Sequence, residues 1–216
     1  MDFYTTAIKQ PHLLIAGTTG SGKSTAIHGI INTVLNLPRV SLWLVDPKRV
    51  ELNQYKNSPK VDAYASTAPG AALLLRSACE EMERRYRTLE KAGLQKWENG
   101  DIYIIIDELA DLLIVPDKKT ASEIRVYLSR LAQLGRAARV HLIVATQFVR
   151  RSVLPLALVA NIPAVVGLRT RDKLESRLLI GCAGCEALPM YGECYFAAPE
   201  FLQPQKMKIC RASKGD

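Results

Sequence analysis

The sequence predicts an α/β fold, a mainly parallel sheet flanked by helices on both faces. Three observations carry this. Short apolar runs rich in branched side chains recur along the chain, as in Leu13–Ala16, Ser41–Val45, Ile102–Ile106 and His141–Ala145, and such runs mark strands covered on both sides. Between them, apolar positions return at three- and four-residue spacing, the period of a helix with one buried face. A glycine-rich stretch, Gly17-Thr18-Thr19-Gly20-Ser21-Gly22-Lys23-Ser24, joins the first strand to the first helix. Strands alternating with helices make a parallel, doubly wound sheet.

Taken in order, residues 1–12 read as a polar lead-in that Pro11 keeps from continuing as helix. Leu13–Ala16 is the first strand, and Thr25 to Val34 the helix after the glycines, stopping near Asn36 because Pro38 forbids continuation. Ser41–Val45 is a second strand and Val61–Ala65 a short third, separated by the polar loop Arg49–Lys60. From Thr67 to Ala92 the positions Ala71, Leu74, Leu75, Ala78, Met82, Tyr86 and Leu89 trace one face of a long helix. Its charges Glu80, Glu81, Glu83, Arg84, Arg85 and Arg87 read as a solvated surface, and Gly93 as its cap. Ile102–Ile106 is a central strand, Lys119–Ala138 a helix and His141–Ala145 a further strand. Ala164–Gly167 and Tyr195–Ala197 follow as strands, with a basic helix, Arg171–Ile180, between them, and Gln205–Arg211 adds an edge strand.

Composition narrows the class. At 216 residues the chain suits one domain with a sizeable core. No apolar run is long enough to cross a membrane, and the start of the chain lacks a signal-peptide profile. Five scattered cysteines suggest reduced thiols and a cytoplasmic setting. A formal charge of +8 and a pI near 9.3 favour a polyanionic partner or plain solubility.

The glycine stretch fits the phosphate-loop pattern, and its chemistry explains its residue types. Backbone N–H groups must curl around a phosphate, which needs glycines at positive φ, and the following helix aims its N-terminus at the same anion. Lys23 can then reach the outer phosphates and the Ser24 hydroxyl can ligate Mg²⁺. Gly17, Thr18, Thr19, Gly20, Ser21, Gly22, Lys23, Ser24 and Thr25 are therefore the nucleotide-binding candidates. A strand ending in Asp107-Glu108 supplies the complement, with Asp107 as metal ligand and Glu108 placed to polarise a water. Thr146-Gln147 closes another strand, and Gln147 is a candidate contact to the terminal phosphate. Arg136 reads either as an arginine supplied across a subunit boundary or as a basic helix cap.

Assembled, these residues resemble the motor domain of the FtsK/SpoIIIE family of DNA translocases. The resemblance runs from about residue 11 to residue 196 and rests on several stretches. They are Pro11–Ala16 leading into the loop, Val45-Asp46-Pro47-Lys48 with Glu51-Leu52, Met82–Tyr86, Ile106–Asp111, Gly135–Ala138 through Thr146-Gln147, Ala160–Pro163 and Ser176-Arg177. It implies a RecA-like phosphate-loop NTPase core over 1–216, using ATP and Mg²⁺. It further implies a homo-oligomer, in the form of a hexameric ring, around double-stranded DNA. Lys23 and Ser24, then Asp107 and Glu108, fall on the family's two nucleotide motifs, and Arg136 on the arginine inserted into a neighbouring site. Lys173 falls on a basic residue of the DNA channel. The departures matter as well. Phe148-Val149-Arg150 replaces the usual Arg-Pro-Ser, and Val159 stands where a lysine precedes Ala-Asn-Ile-Pro. Arg150, Arg151, Arg169 and Arg171 are the candidate replacements for those phosphate contacts. The family's membrane helices, linker and winged helix have no counterpart, so the expectation is a bare motor. The lost charges leave an ATP-driven protein-secretion motor as the alternative. Cys182 and Cys185 form a CxxC, but the spacing to Cys194 and Cys210 is irregular for a metal site, so they read as packed loop residues.

Overall fold

The computed structural model describes residues 2–148 and 156–209. Its strands are β1 (His12–Ala16), β2 (Val40–Val45), β3 (Val61–Ala65), β4 (Asp101–Ile106), β5 (Val140–Thr146), β6 (Ala164–Gly167), β7 (Glu193–Ala197) and β8 (Gln205–Lys208). Its helices are α1 (Phe3–Ala7), α2 (Lys23–Leu35), α3 (Ala68–Ala92), α4 (Leu109–Leu113), α5 (Lys118–Ala138), α6 (Leu156–Val159) and α7 (Lys173–Ile180). The strands form one sheet in the order β3-β2-β4-β5-β1-β6-β7-β8, parallel through β6 and antiparallel over the last two.

Alternation along the central strands explains the layers. Ile102, Ile104 and Ile106 of β4 join Leu142 and Val144 of β5 under α3, α4 and α5. The intervening residues Tyr103, Ile105, Ile143 and Ala145 face α1 and α2. Both faces are thus apolar, which is why the central strands read as continuous rather than alternating runs. The expected sheet with helices on both faces is what the chain forms.

Two expectations need correction. The lead-in is more than a polar stretch: it holds a short helix with Phe3 and Ala7 buried, which Asp2 caps by accepting from Thr5 N at 2.8 Å. Phe3 then packs edge-on against Phe196 with ring centroids 6.2 Å apart. Five residues are too few to show a helical period, so only the cap was there to be read. Arg85 is not on a solvated surface; it is 6% exposed. Its Nη1 donates to the carbonyls of Gly100, Ala138 and Arg139, and its guanidinium lies over Trp97. Ala138 O, at the end of α5, has no partner within the helix and is met at 2.8 Å by this one guanidinium nitrogen, while Trp97 N and Ile102 N donate to Ala137 O and Arg139 O.

The sheet order positions the site. β5 lies between β1 and β4, with Ala16 opposite Thr146 and Ile106 opposite Val144. Gly17, Thr146 and Asp107 therefore leave the same rim of the sheet side by side. The other rim carries the end of α5 and Arg136.

Candidate nucleotide site

The loop after β1 takes the shape its glycines allow. Gly20 and Gly22 have φ of +78° and +94°, a region costly for other residues. Thr18 N donates to Arg169 O at 2.8 Å, tying the loop to the connection after β6. Gly22 caps α2 without any side-chain hydrogen bond, so the helix's first N–H groups stay available to an anion. The helix begins at Lys23, two residues before the expected start at Thr25. The loop of Met190, Tyr191 and Gly192 lies against the glycines, with Tyr191 Cα and Gly192 N both under 4 Å from where a Cβ on Gly22 would sit.

Lys23 is buried. Its Nζ pairs with Glu108 Oε2 at 3.1 Å and lies 3.4 Å from Asp107 O. Glu108 is wholly buried and held on several sides. Its Oε1 accepts from Thr146 Oγ1 at 2.8 Å and from Gln147 N at 3.2 Å, and Lys48 Nζ stands 3.8 Å from Oε2. Thr19 Oγ1 donates to Gln147 Oε1 at 2.8 Å, so the phosphate loop and the end of β5 are directly linked. Lys23, Asp107, Glu108, Thr146 and Gln147, all singled out from sequence, meet at one rim.

Asp107 is 2% exposed, and its Oδ1 has no hydrogen-bond partner among the described residues. Burial pushes its carboxyl up to about 6; Lys23 opposes the shift, while Glu51, Asp46 and Glu108 add to it. An unpartnered buried carboxylate oxygen close to other oxygen donors suits a hard divalent cation, which ligates oxygen and lowers the carboxyl's proton affinity. The residues present fit Mg²⁺. Ser24, the other expected ligand, donates to Glu51 Oε1 at 2.7 Å, a contact the sequence reading did not foresee. Lys48 was missed as well, although both lie in the stretch Asp46-Pro47-Lys48 to Glu51.

The remaining candidates lie elsewhere. Arg136 is exposed on the far rim, where it lines a cavity of about 540 Å³ with Lys9, Tyr86 and Lys96. Its side chain makes no hydrogen bond or ion pair with the described residues; α5 ends instead through backbone, with Arg139 at φ +55°. β5 separates Arg136 from the phosphate loop by about 20 Å at 3.3 Å per residue. Lys173 is exposed at the first turn of α7. Arg150 and Arg151 lie outside the described residues. Of the CxxC pair, Cys182 is exposed rather than packed, whereas Cys185 is buried beneath Gly167, and burial pushes its thiol up to about 11, the mark of an unreactive packing residue.

A glycine loop on a helix N-terminus, a buried lysine and an Asp-Glu pair at one rim of a parallel sheet define a phosphate-loop ATPase. Residues 2–104 and 96–151 match the FtsK/SpoIIIE family, and the chain belongs to it. The DNA translocase FtsK of Campylobacter jejuni is 37% identical over 214 residues, covering 91% of this chain and 22% of that protein. SpoIIIE of Bacillus subtilis is 36% identical over 211 residues, covering 87% and 26%. This chain thus spans about a quarter of the length of these relatives. Among solved structures, the conjugation coupling protein TcpA of pCW3, with ATPγS, superposes with a TM-score of 0.82 at 27% identity. That match covers 92% of this chain and 60% of the other. No helix among the described residues is long and apolar enough to cross a membrane.

Proposed function

We propose that this chain is a motor domain that hydrolyses ATP and uses the energy to move double-stranded DNA, acting within a homo-oligomeric ring. The observation that carries the reading is the meeting of Lys23, Asp107, Glu108 and Thr146 beside the phosphate loop. A triphosphate in the loop competes with Glu108 for Lys23. As the ammonium turns to the outer phosphates, Glu108 Oε2 loses its closest partner while Thr146 and Gln147 N keep Oε1 in place. The carboxylate is then a base whose Oε1 stays anchored and whose Oε2, still 3.2 Å from Gln147 N and 3.8 Å from Lys48 Nζ, is freed on its Lys23 side for an attacking water. Ser24 and Asp107 would hold Mg²⁺, which supplies charge neutralisation and a template for in-line attack. Loss of the terminal phosphate is transmitted through the Thr19–Gln147 link into the segment that begins at Phe148.

Arg136, too far from its own loop, would complete a neighbour's site. Its place on the opposite rim suits a ring in which the two rims of adjacent copies face each other. The DNA relatives, the charge of +8 and exposed Lys173 support duplex DNA as the track, with Arg150 and Arg151 as further contacts. Such contacts neutralise phosphates and are sequence-independent. The test is the ATPase rate with and without linear duplex DNA across a salt series. Stimulation that fades with salt supports the proposal; no stimulation at any salt refutes the DNA track while leaving the ATPase reading intact.

A further inference from the structure

Ser24 and His28 lie one turn apart on α2, and one carboxylate bridges them. Glu51 Oε1 accepts the Ser24 hydroxyl at 2.7 Å, Glu51 Oε2 lies 3.2 Å from His28 Nε2, and His28 Nδ1 lies 3.0 Å from the Tyr55 hydroxyl. A neutral imidazole satisfies both neighbours, donating to Glu51 and accepting from Tyr55. The loop bearing Glu51 is itself fixed. Leu52, the next residue, is fully buried and its N–H donates to Asp46 Oδ2 at 2.9 Å. The carboxylate is therefore held from its backbone and from its far oxygen, and Ser24 meets a rigid acceptor.

We infer that Glu51 is a positioning residue of the metal–nucleotide site, acting through Ser24. A serine hydroxyl has one proton and two lone pairs, and only a lone pair can face a cation. With the proton committed to Glu51, the lone pairs are turned away from Glu51 and available to the ion that Ser24 and Asp107 are proposed to hold. Asp107 is not the acceptor: the single Ser24 proton goes to Glu51 Oε1, and Asp107 Oδ1 has no hydrogen-bond partner among the described residues. The division of labour is then clear. Asp107 would hold the cation directly, and Glu51 would orient the hydroxyl ligand. Groups that orient metal ligands commonly matter nearly as much as the ligands themselves. This inference rests on the nucleotide-site reading above and adds a residue to it.

The test separates metal-dependent from metal-independent binding. A fluorescent, non-hydrolysable ATP analogue is titrated in Mg²⁺ and in EDTA, with Mn²⁺ paramagnetic resonance as a second readout of the bound ion. Glu51→Ala should weaken binding about 10-fold in Mg²⁺ and leave the EDTA affinity unchanged. Glu51→Gln, whose amide oxygen still accepts from Ser24, should keep most of the Mg²⁺ gain. Glu51→Asp guards against a misfolded loop, because it keeps the charge but withdraws the acceptor by one methylene; it should show the same selective loss. Ser24→Ala should lose the Mg²⁺ gain, and adding Glu51→Ala to it should cost nothing more. An undiminished Mg²⁺ gain in Glu51→Ala overturns the inference. So does an equal loss in Mg²⁺ and EDTA, which would make Glu51 only a tie between loop and helix. If wild-type protein shows no Mg²⁺ gain, or Lys23→Ala binds as well as wild type, the nucleotide-site reading itself falls, and this inference with it.

Discussion

Glu108→Gln puts the lock between Lys23 and Glu108 to a quantitative test. The two groups are 3.1 Å apart with side-chain exposures of 8% and 1%, so the pair is sheltered from solvent. On the proposed function, an incoming triphosphate must break this contact before Lys23 can serve it. A hydrogen bond to a charged group is worth about 1.5–3 kcal/mol, and the neutral amide removes much of that competition. Glutamine keeps a carbonyl oxygen for Thr146 Oγ1 and Gln147 N, so the strand end should hold. The variant should therefore bind ATP about 10-fold more tightly or better, since each 1.4 kcal/mol is a factor of ten. Its turnover should fall by about 10²–10⁴, the usual contribution of a positioned base. The free protein should be less stable, because Lys23 keeps its buried charge without an anionic partner at 3.1 Å. Equilibrium binding, single-turnover hydrolysis and urea unfolding measure the three quantities. Unchanged turnover removes Glu108 as the base. Weaker binding with turnover lost would mean that Glu108 holds the loop in shape rather than competing for Lys23.

His12 is buried, and burial holds its imidazole down to about 3. Below its ordinary 6.5 only the unfolded chain takes that proton, so the His12 contribution to stability falls with pH by about 1.4 kcal/mol per unit. Asp107, raised to about 6, works in the opposite sense between about 6 and 4, because there the folded state binds the extra proton. The two should nearly cancel in EDTA buffer, and His12→Asn, which can still accept from Leu142 N, should gain stability from pH 6 to 4; a flat urea-unfolding profile in that variant would be against it. Gly17→Ala places a Cβ 2.5 Å from Leu168 Cβ and 2.8 Å from Ser21 Oγ, so both melting temperature and nucleotide affinity should drop, with a stability cost of about 1–3 kcal/mol. Arg136→Ala should bind ATP normally yet hydrolyse little, and mixing it with Lys23→Ala should restore activity; a mixture as inactive as its parts argues against an arginine acting between copies.

The sheet and the phosphate loop were legible because each rests on local information. Ile102–Ile106 is apolar at every position, so its burial on both faces is written in five consecutive residues. Gly20 and Gly22 announce their positive φ by being glycines. Glu51 was not legible as a partner of Ser24. The two are 27 positions apart, and their contact depends on where the β2–β3 connection settles after Leu52 is buried. Arg85 misled for a related reason. Its neighbours Arg84 and Glu81 do form an exposed i,i+3 pair, and nothing local distinguishes the one arginine whose fork reaches the end of a distant helix.

The same contrast between local and distant contacts bears on why a chain of this design would need copies of itself. Every group proposed to serve the phosphates leaves one rim of the sheet: the loop after β1, Asp107 and Glu108 after β4, and Thr146 at the end of β5. All of these follow strand ends, so a single folded chain brings them together. Arg136 precedes β5 instead, and the length of that strand keeps it from its own loop however the side chain turns. An arginine exposed on the far rim, without a hydrogen-bond or ion-pair partner among the described residues, contributes to stability only through the dipole of the helix end, about 0.3–1 kcal/mol. It is well explained if hydrolysis waits for a second copy to bring that charge to the loop. On the proposed function, such an arrangement would make turnover conditional on assembly, and assembly around the track would keep ATP from being spent by free chains.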